Sequence, residues 1–418
     1  MNLHFSMLIF LSVVAVSQDE SEDQSTARKL EWSGNFDVKY SIFHMNQSSA
    51  NYKLQFFNKS ISSYLSQYRI EPYVNAEYKL QNLEVQLKTH AIFYDEKESS
   101  FDLYEAYGTY NPSASLSLQA GKRVYNWGKG YAFNPVGFVN TVKDPENPEL
   151  AQAGLMSINA EFVKSFPSEV LQSFSVMMVI LSGRPVISHR FDETKNTDVG
   201  LKFSFLVMDT DIDFMTYQSV TYPARYGVDF SRNIMENLEV HAELSVANKV
   251  IRYVVANGVP QSQQSDRASY LFGFRYLSEI STTVIAEYYH NGSGLSRSEF
   301  QSYHDYLVNG LSIGTSVSVQ RTMENNRALF NSNTLMQEYL YVKISHPEPF
   351  DLLYVTPSMF SIYNLADKSV LLSASIQYKP TTDLEFILWP SFLVGSNNSE
   401  FGGRQAQQRI DLWMRVFF

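Results

Sequence analysis

From Trp32 onward, apolar and polar residues alternate with a period of two rather than 3.6. In "LEVQLKTHAIF" the apolar residues Leu83, Val85, Leu87, Ala91 and Phe93 interleave with Glu84, Gln86, Lys88 and His90. In "LEVHAELSV" Leu238, Val240, Ala242, Leu244 and Val246 interleave with Glu239, His241, Glu243 and Ser245. A third segment sets Tyr68, Ile70, Val74, Ala76, Tyr78 and Leu80 against Arg69, Glu71, Asn75, Glu77 and Lys79. Each reads as a strand with one apolar and one charged face. Such strands suit either a soluble sandwich or a membrane barrel.

Length and spacing separate the two. The alternating segments commonly run about 10–15 residues, against roughly 5–6 for globular strands, and a tilted membrane strand needs about 9–11. Short turns are expected at 81–82, 111–115, 166–169, 208–211, 277–281, 346–350 and 379–383. Longer links are expected near 47–64, 126–153, 184–197, 256–267, 293–334 and 396–405. Short turns on one rim and long loops on the other are the habit of outer-membrane barrels. Counting on this basis predicts an all-β, antiparallel up-and-down transmembrane barrel of about 16–18 strands, the segments around 211–234 and 311–323 being ambiguous.

Composition agrees. The chain has 29 Phe and 27 Tyr, only 18% charged residues and no cysteine, so thiolate metal sites and cysteine nucleophiles are excluded. No apolar run reaches the ~20 residues of a membrane helix. A net charge of −10 argues against nucleic acid as a partner. No cofactor and no metal is expected. The run "MLIFLSVVAV" has the length of a signal-peptide core, giving a signal peptide over 1–17, an acidic tail over 18–31 and a barrel over 32–418. Tyr40, Phe43, Tyr107, Tyr110, Tyr288, Tyr289, Tyr378 and Trp389 are expected in the interfacial girdles.

The final strand "RIDLWMRVFF" alternates Ile410, Leu412, Met414, Val416 and Phe418 with Arg409, Asp411 and Arg415. It resembles the signal by which the outer-membrane assembly machinery of Gram-negative bacteria recognises barrels, with Trp413 and Phe418 as its aromatic residues. The whole mature chain resembles a porin-type outer-membrane barrel. More narrowly, "LQAGKRVYNWGKGYAFNP…KDPENPE" is similar to an element of poorly characterised putative porins. The resemblance implies an exported protein in the bacterial outer membrane, in contact with its lipid and lipopolysaccharide and with the barrel-assembly machinery. It names no solute.

The 126–153 segment is the candidate constriction. Gly128 and Gly130 free the backbone, Trp127, Tyr131 and Phe133 can pin it to the wall, and Asn-Pro and Asp-Pro steps stop it pairing as a strand. Its charged candidates are Arg123, Lys129, Lys143, Asp144, Glu146 and Glu149, with Lys122 the weakest because it alternates onto the lipid-facing side, and the wall adds Arg69, Glu71, Glu77, Arg409, Asp411 and Arg415 as pore-lining residues. A phosphate loop is excluded because no Ser or Thr follows Lys122 or Lys129. A non-enzymatic porin or facilitated-diffusion channel for a small solute is therefore expected. The alternative is a plugged barrel with a structural, adhesive or hydrolytic surface, built on "SRSEFQSYHDY" with His304 and Asp305 in the 293–334 loop.

Overall fold

The computed structural model describes residues 29–95, 98–182 and 197–418. The expected signal peptide and nearly all of the acidic tail lie outside these residues, as does most of the 184–197 link. Eighteen strands follow in chain order: β1 (Lys29–Met45), β2 (Tyr64–Leu80), β3 (Leu83–Tyr94), β4 (Ser100–Ser113), β5 (Leu116–Arg123), β6 (Leu155–Ser165), β7 (Leu171–Ser182), β8 (Thr197–Val207), β9 (Thr210–Gln218), β10 (Arg225–Met235), β11 (Leu238–Ala256), β12 (Val259–Leu277), β13 (Thr283–His290), β14 (Glu338–Ser345), β15 (Val355–Asn364), β16 (Val370–Thr381), β17 (Leu384–Val394) and β18 (Ala406–Phe417). Each pairs antiparallel with its sequence neighbours, and β1 pairs with both β2 and β18, so the sheet closes into a barrel with no free edge.

The alternation decides the faces. On β1, Asp37, Lys39 and Ser41 point inward and are sealed, while Trp32 and Phe36 point outward and are exposed. The same holds around the ring, with Phe101, Phe214, Phe272 and Met359 outside and Glu71, His90, Asp229, Glu243 and Glu287 inside. An apolar exterior around a polar interior is what lipid on one side and water on the other require. The barrel closes on Gly34, whose N–H and carbonyl bond the backbone of Phe418 at 3.0 and 3.1 Å.

Four expectations need correction. The 256–267 link is not a loop, because β11 and β12 form one long hairpin turning on Asn257-Gly258, both with positive φ (53° and 74°). Asn-Gly is a strong signal for that turn. The 293–334 segment holds helices α2 (Arg297–Ser312) and α3 (Ser316–Leu329), which pack with α1 (Ala50–Gln55) over the long-loop mouth. A capping box between Ser296 and Glu299 starts α2. Finally, Phe43, in register with the inward Arg409, and Tyr107, Tyr289 and Trp389 are not girdle residues. They face the lumen, where Tyr107 donates to Gln86, Tyr289 stacks on Phe133 and Trp389 Nε1 donates to Ser373 Oγ. The strand also begins at Lys29, so residues 29–31 pair with β2 rather than trail as a tail.

Candidate functional site: a loop folded into the lumen

After Arg123 the chain leaves the wall and runs through the lumen to Leu155. This loop is first of all bonded to itself. The Trp127 N–H donates to Asn140 Oδ1 at 2.8 Å, and the Trp127 carbonyl accepts from Asn134 and Asn140 at 2.9 and 2.7 Å. Lys143 Nζ donates to the Gly130 and Tyr131 carbonyls and to Asn134 Oδ1 at 2.7, 3.2 and 3.0 Å. Burial lowers the pKa of that ammonium, against the pull of Glu287 and Glu243. Lys143 is therefore a brace inside the loop.

One flank of the loop is welded to the wall by apolar packing. Trp127, Val136, Phe138 and Val139 pack on Val179, Leu181, Met215 and Tyr217 of β7 and β9. Wall glycines make room: a Cβ on Gly200 would lie 2.8 Å from Val139 Cγ1, and one on Gly227 2.8 Å from Val136 Cγ1. Further along, Phe133 stacks on Tyr289 at 4.6 Å. Trp127 and Phe133, expected at the pore, are thus sealed between loop and wall at 2% and 5% exposure. Their aromatic area gains more from a dry contact than from a wet passage.

Two wall carboxylates hold the loop's backbone. Glu243 of β11 accepts from the N–H groups of Lys129, Gly130 and Val136 at 2.6, 2.6 and 3.2 Å. Glu287 of β13 accepts from the N–H groups of Tyr131 and Ala132, the latter at 2.9 Å. Lys129 itself turns to the wall, with Nζ 3.4 Å from Asp213 Oδ2.

The remaining lumen charges mostly pair. Lys39 and Arg69 each reach Glu71 at 2.7 Å, Arg409 reaches Asp411 at 2.8 Å, and Arg415 grips Asp37 at 2.8 and 2.9 Å. Glu77 pairs with Lys79 near the short-turn rim. Arg123 lies over the rings of Tyr107 and Tyr125. Trp413 points inward, with Lys39 Nζ 4.2 Å from its ring centroid.

Two chambers flank the loop. The chamber on the long-loop side, about 580 Å³, is lined by Arg225, Arg252, Arg267, Asn134 and Thr141. Arg252 is paired with Glu299. Arg225 and Arg267, both facing Ala247 across adjacent strands, have no carboxylate partner among the described residues. Asp144 also lines this chamber, its carboxyl pushed above the usual range by burial and by Glu146. The chamber on the short-turn side, about 330 Å³, is lined by Tyr73, Lys88, Trp389, Trp413, Arg415 and Lys343. Tyr131, which lines this second chamber, donates to Glu149, and Lys343 Nζ contacts both Tyr131 and Glu149. Sequence alternation marked Glu243 as inward but not as an anchor, and Arg225, Arg267, Lys343 and Trp389 were missed. Arg225 falls in the 211–234 segment, where the alternation is ambiguous, and Arg267 in the expected 256–267 link.

In the "SRSEFQSYHDY" segment the Ser, His and Asp side chains are engaged locally, with His304 Nδ1 3.9 Å from Asp305 Oδ1. His304 and Asp305 are consecutive on α2, Ser302 Oγ bonds the Ser298 carbonyl, and Asp305 accepts from Gln301.

Architecture and lumen together define a closed 18-strand antiparallel β-barrel, apolar outside and polar within. Solved structures share that fold. Pseudomonas aeruginosa OccK8 (OprE) matches with a TM-score of 0.57 at 8% identity, over 93% of this chain and 98% of that one. Pseudomonas aeruginosa OccK2 (OpdF), solved in complex with glucuronate, matches with a TM-score of 0.55 at 8% identity over 93% and 98%. Wzi of Escherichia coli, a carbohydrate-binding barrel involved in group 1 capsule assembly, matches with a TM-score of 0.53 at 8% identity over 91% and 84%. No protein-family model and no curated protein matches the chain.

Proposed function

We propose that this chain is an outer-membrane channel for small polar solutes that favours anions, with the 124–154 loop as its constriction. One observation carries the reading: Arg225 and Arg267 line the chamber of about 580 Å³, and neither is ion-paired with a carboxylate among the described residues. In a chain of net charge −10 with most lumen cations paired, two unneutralised guanidinium groups create a local positive field that draws anions. The short-turn chamber sets Arg415, Lys343 and Lys88 among the aromatic residues Trp389, Trp413 and Tyr73, a lining suited to a ring-shaped solute carrying a negative charge. The shared fold with OccK2, whose structure holds glucuronate, supports a solute of that kind. The barrel exterior supports residence in the outer membrane.

Planar-bilayer recording of the purified protein, with and without residues 129–149, tests the reading. We expect conductance with anion preference, widened by the deletion. Absence of current in both forms sinks the channel, and unchanged current after deletion sinks the constriction. A second reading, a lidded barrel that binds at its surface, is favoured by the helices α1–α3 over the mouth. It predicts no conductance and saccharide binding by the intact barrel.

A further inference from the structure

We infer that Glu243 and Glu287 act as a latch: by binding the loop's main chain they keep the constriction closed down, and loss of their charge releases it. This rests on the channel reading for its consequence, though not for its geometry.

Five consecutive or near-consecutive backbone N–H groups, those of Lys129, Gly130, Tyr131, Ala132 and Val136, all point at these two carboxylates. Successive N–H donors turned to one side form an anion-binding concavity. Here the concavity is on the loop and the anion is on the wall. Both acids are sealed from solvent, at 2% and 1% exposure. Glu243 has no cation in contact among the described residues, and the nearest to Glu287 is His241, whose Nε2 lies 3.2 Å from Oε1. The loop's own dipoles therefore supply most of what these charges need, and a buried carboxylate without them is costly. Acidic neighbours sharpen the dependence. Asp229 is the register partner of both Glu243 and Asp213, so the loop also screens a row of like charges.

The glycines fit the same purpose. Gly128 has φ +93° and an added Cβ would fall 2.8 Å from Glu243 Oε1. A side chain at that position would displace the acceptor from the N–H groups it serves. The residue identities that make the concavity are thus on the loop, and the charges that fill it are on β11 and β13.

The mutations Glu243→Gln and Glu287→Gln, singly and together, keep the side-chain shape but replace an accepting oxygen with an amide donor facing an N–H. The chain has no cysteine, so two single-thiol reporters can be read cleanly with a water-soluble maleimide. Val136→Cys sits on the loop and Leu307→Cys in the helical cap, both fully buried. In the double variant we expect the thiol of Val136→Cys to label roughly tenfold faster, as local opening predicts. That of Leu307→Cys should stay protected, and single-channel conductance should rise. Gly128→Ala leaves both acids in place and should give the same pattern from the loop side. If both thiols become reactive in the double variant, the barrel itself has loosened and Gly128→Ala decides the matter. Protection at Val136→Cys in Gly128→Ala and in any folded acid variant overturns the latch, and a conducting wild-type protein would then leave the channel reading standing. Faster labelling in a protein that never conducts keeps the latch and removes the channel.

Discussion

Arg404 Nη1 donates to Glu146 Oε1 at 2.5 Å, tying the inward loop to the outer loop between β17 and β18. Arg404 also donates to the Asn333 carbonyl beyond α3. One guanidinium therefore joins constriction, outer loop and helical cap. The pair is partly exposed, so we expect Glu146→Gln or Arg404→Gln to cost about 1–3 kcal/mol, between the values for exposed and sealed ion pairs. A double-mutant cycle on urea unfolding in detergent checks this. Additive single effects would show that the two side chains do not couple.

Removing the unpaired arginines should change selectivity more than stability. For Arg225→Gln with Arg267→Gln, the reversal potential in a salt gradient should move toward cations. Each single change should move it part of the way. Equal reversal potentials in wild type and double variant would end the anion reading.

Acid should act on the Tyr131–Glu149–Lys343 contact only at low pH. Burial works against the Glu149 charge, but hydrogen bonds from Lys343 and Tyr131 outweigh it and hold the carboxyl below its ordinary value of 4.5. A lowered carboxyl pKa means that the stabilisation is fully present above 4.5 and is lost as pH falls through the lower, folded value. Conductance noise should therefore stay level from neutral pH down to about 5 and change only below it. Lys343→Met should move that transition upward. A wild-type transition near neutrality would contradict the assignment.

Trp127 and Tyr131 sit four residues apart and should fail differently. Trp127→Ala opens a void in the dry cluster and should cost about 3–5 kcal/mol in unfolding measurements. Tyr131→Phe removes only the hydroxyl shared with Glu149 and Lys343. It should leave stability within about 1–2 kcal/mol while altering conductance. The reverse ranking would place the passage on the wrong side of the loop.

The barrel was legible because each strand must satisfy lipid and water on opposite faces, and that demand is written residue by residue. Arg69, Glu71, Arg409, Asp411 and Arg415 point inward as their alternation says. The pattern breaks where the backbone breaks. At the bulge between Ala247 and Val250 the inward set of β11 passes from odd to even positions, so Arg252 joins the lumen where simple alternation would expel it. The start of α2 is readable from the Ser296–Glu299 cap, yet the surrounding period-two signal hides both α2 and α3. Which side of the inward loop is dry was not legible at all. It depends on Gly200 and Gly227 lying opposite Val139 and Val136, a long-range match that local spacing does not encode.

The dry weld of the loop onto β7 and β9 divides the interior into two provinces with separate obligations. Stability is vested in Trp127, Val136, Phe138 and Val139 and the surfaces they cover, while the wet surfaces, from β14 through β18 to β3 and around Arg225 and Arg267, carry the residues a solute would meet. Substitutions on the wet side can redraw what passes without unsettling the fold, as long as each buried charge keeps its partner. On the channel function proposed above, a lineage carrying this barrel is thus free to change its diet by point mutation, since the groups that would choose the solute are not the groups of the dry weld.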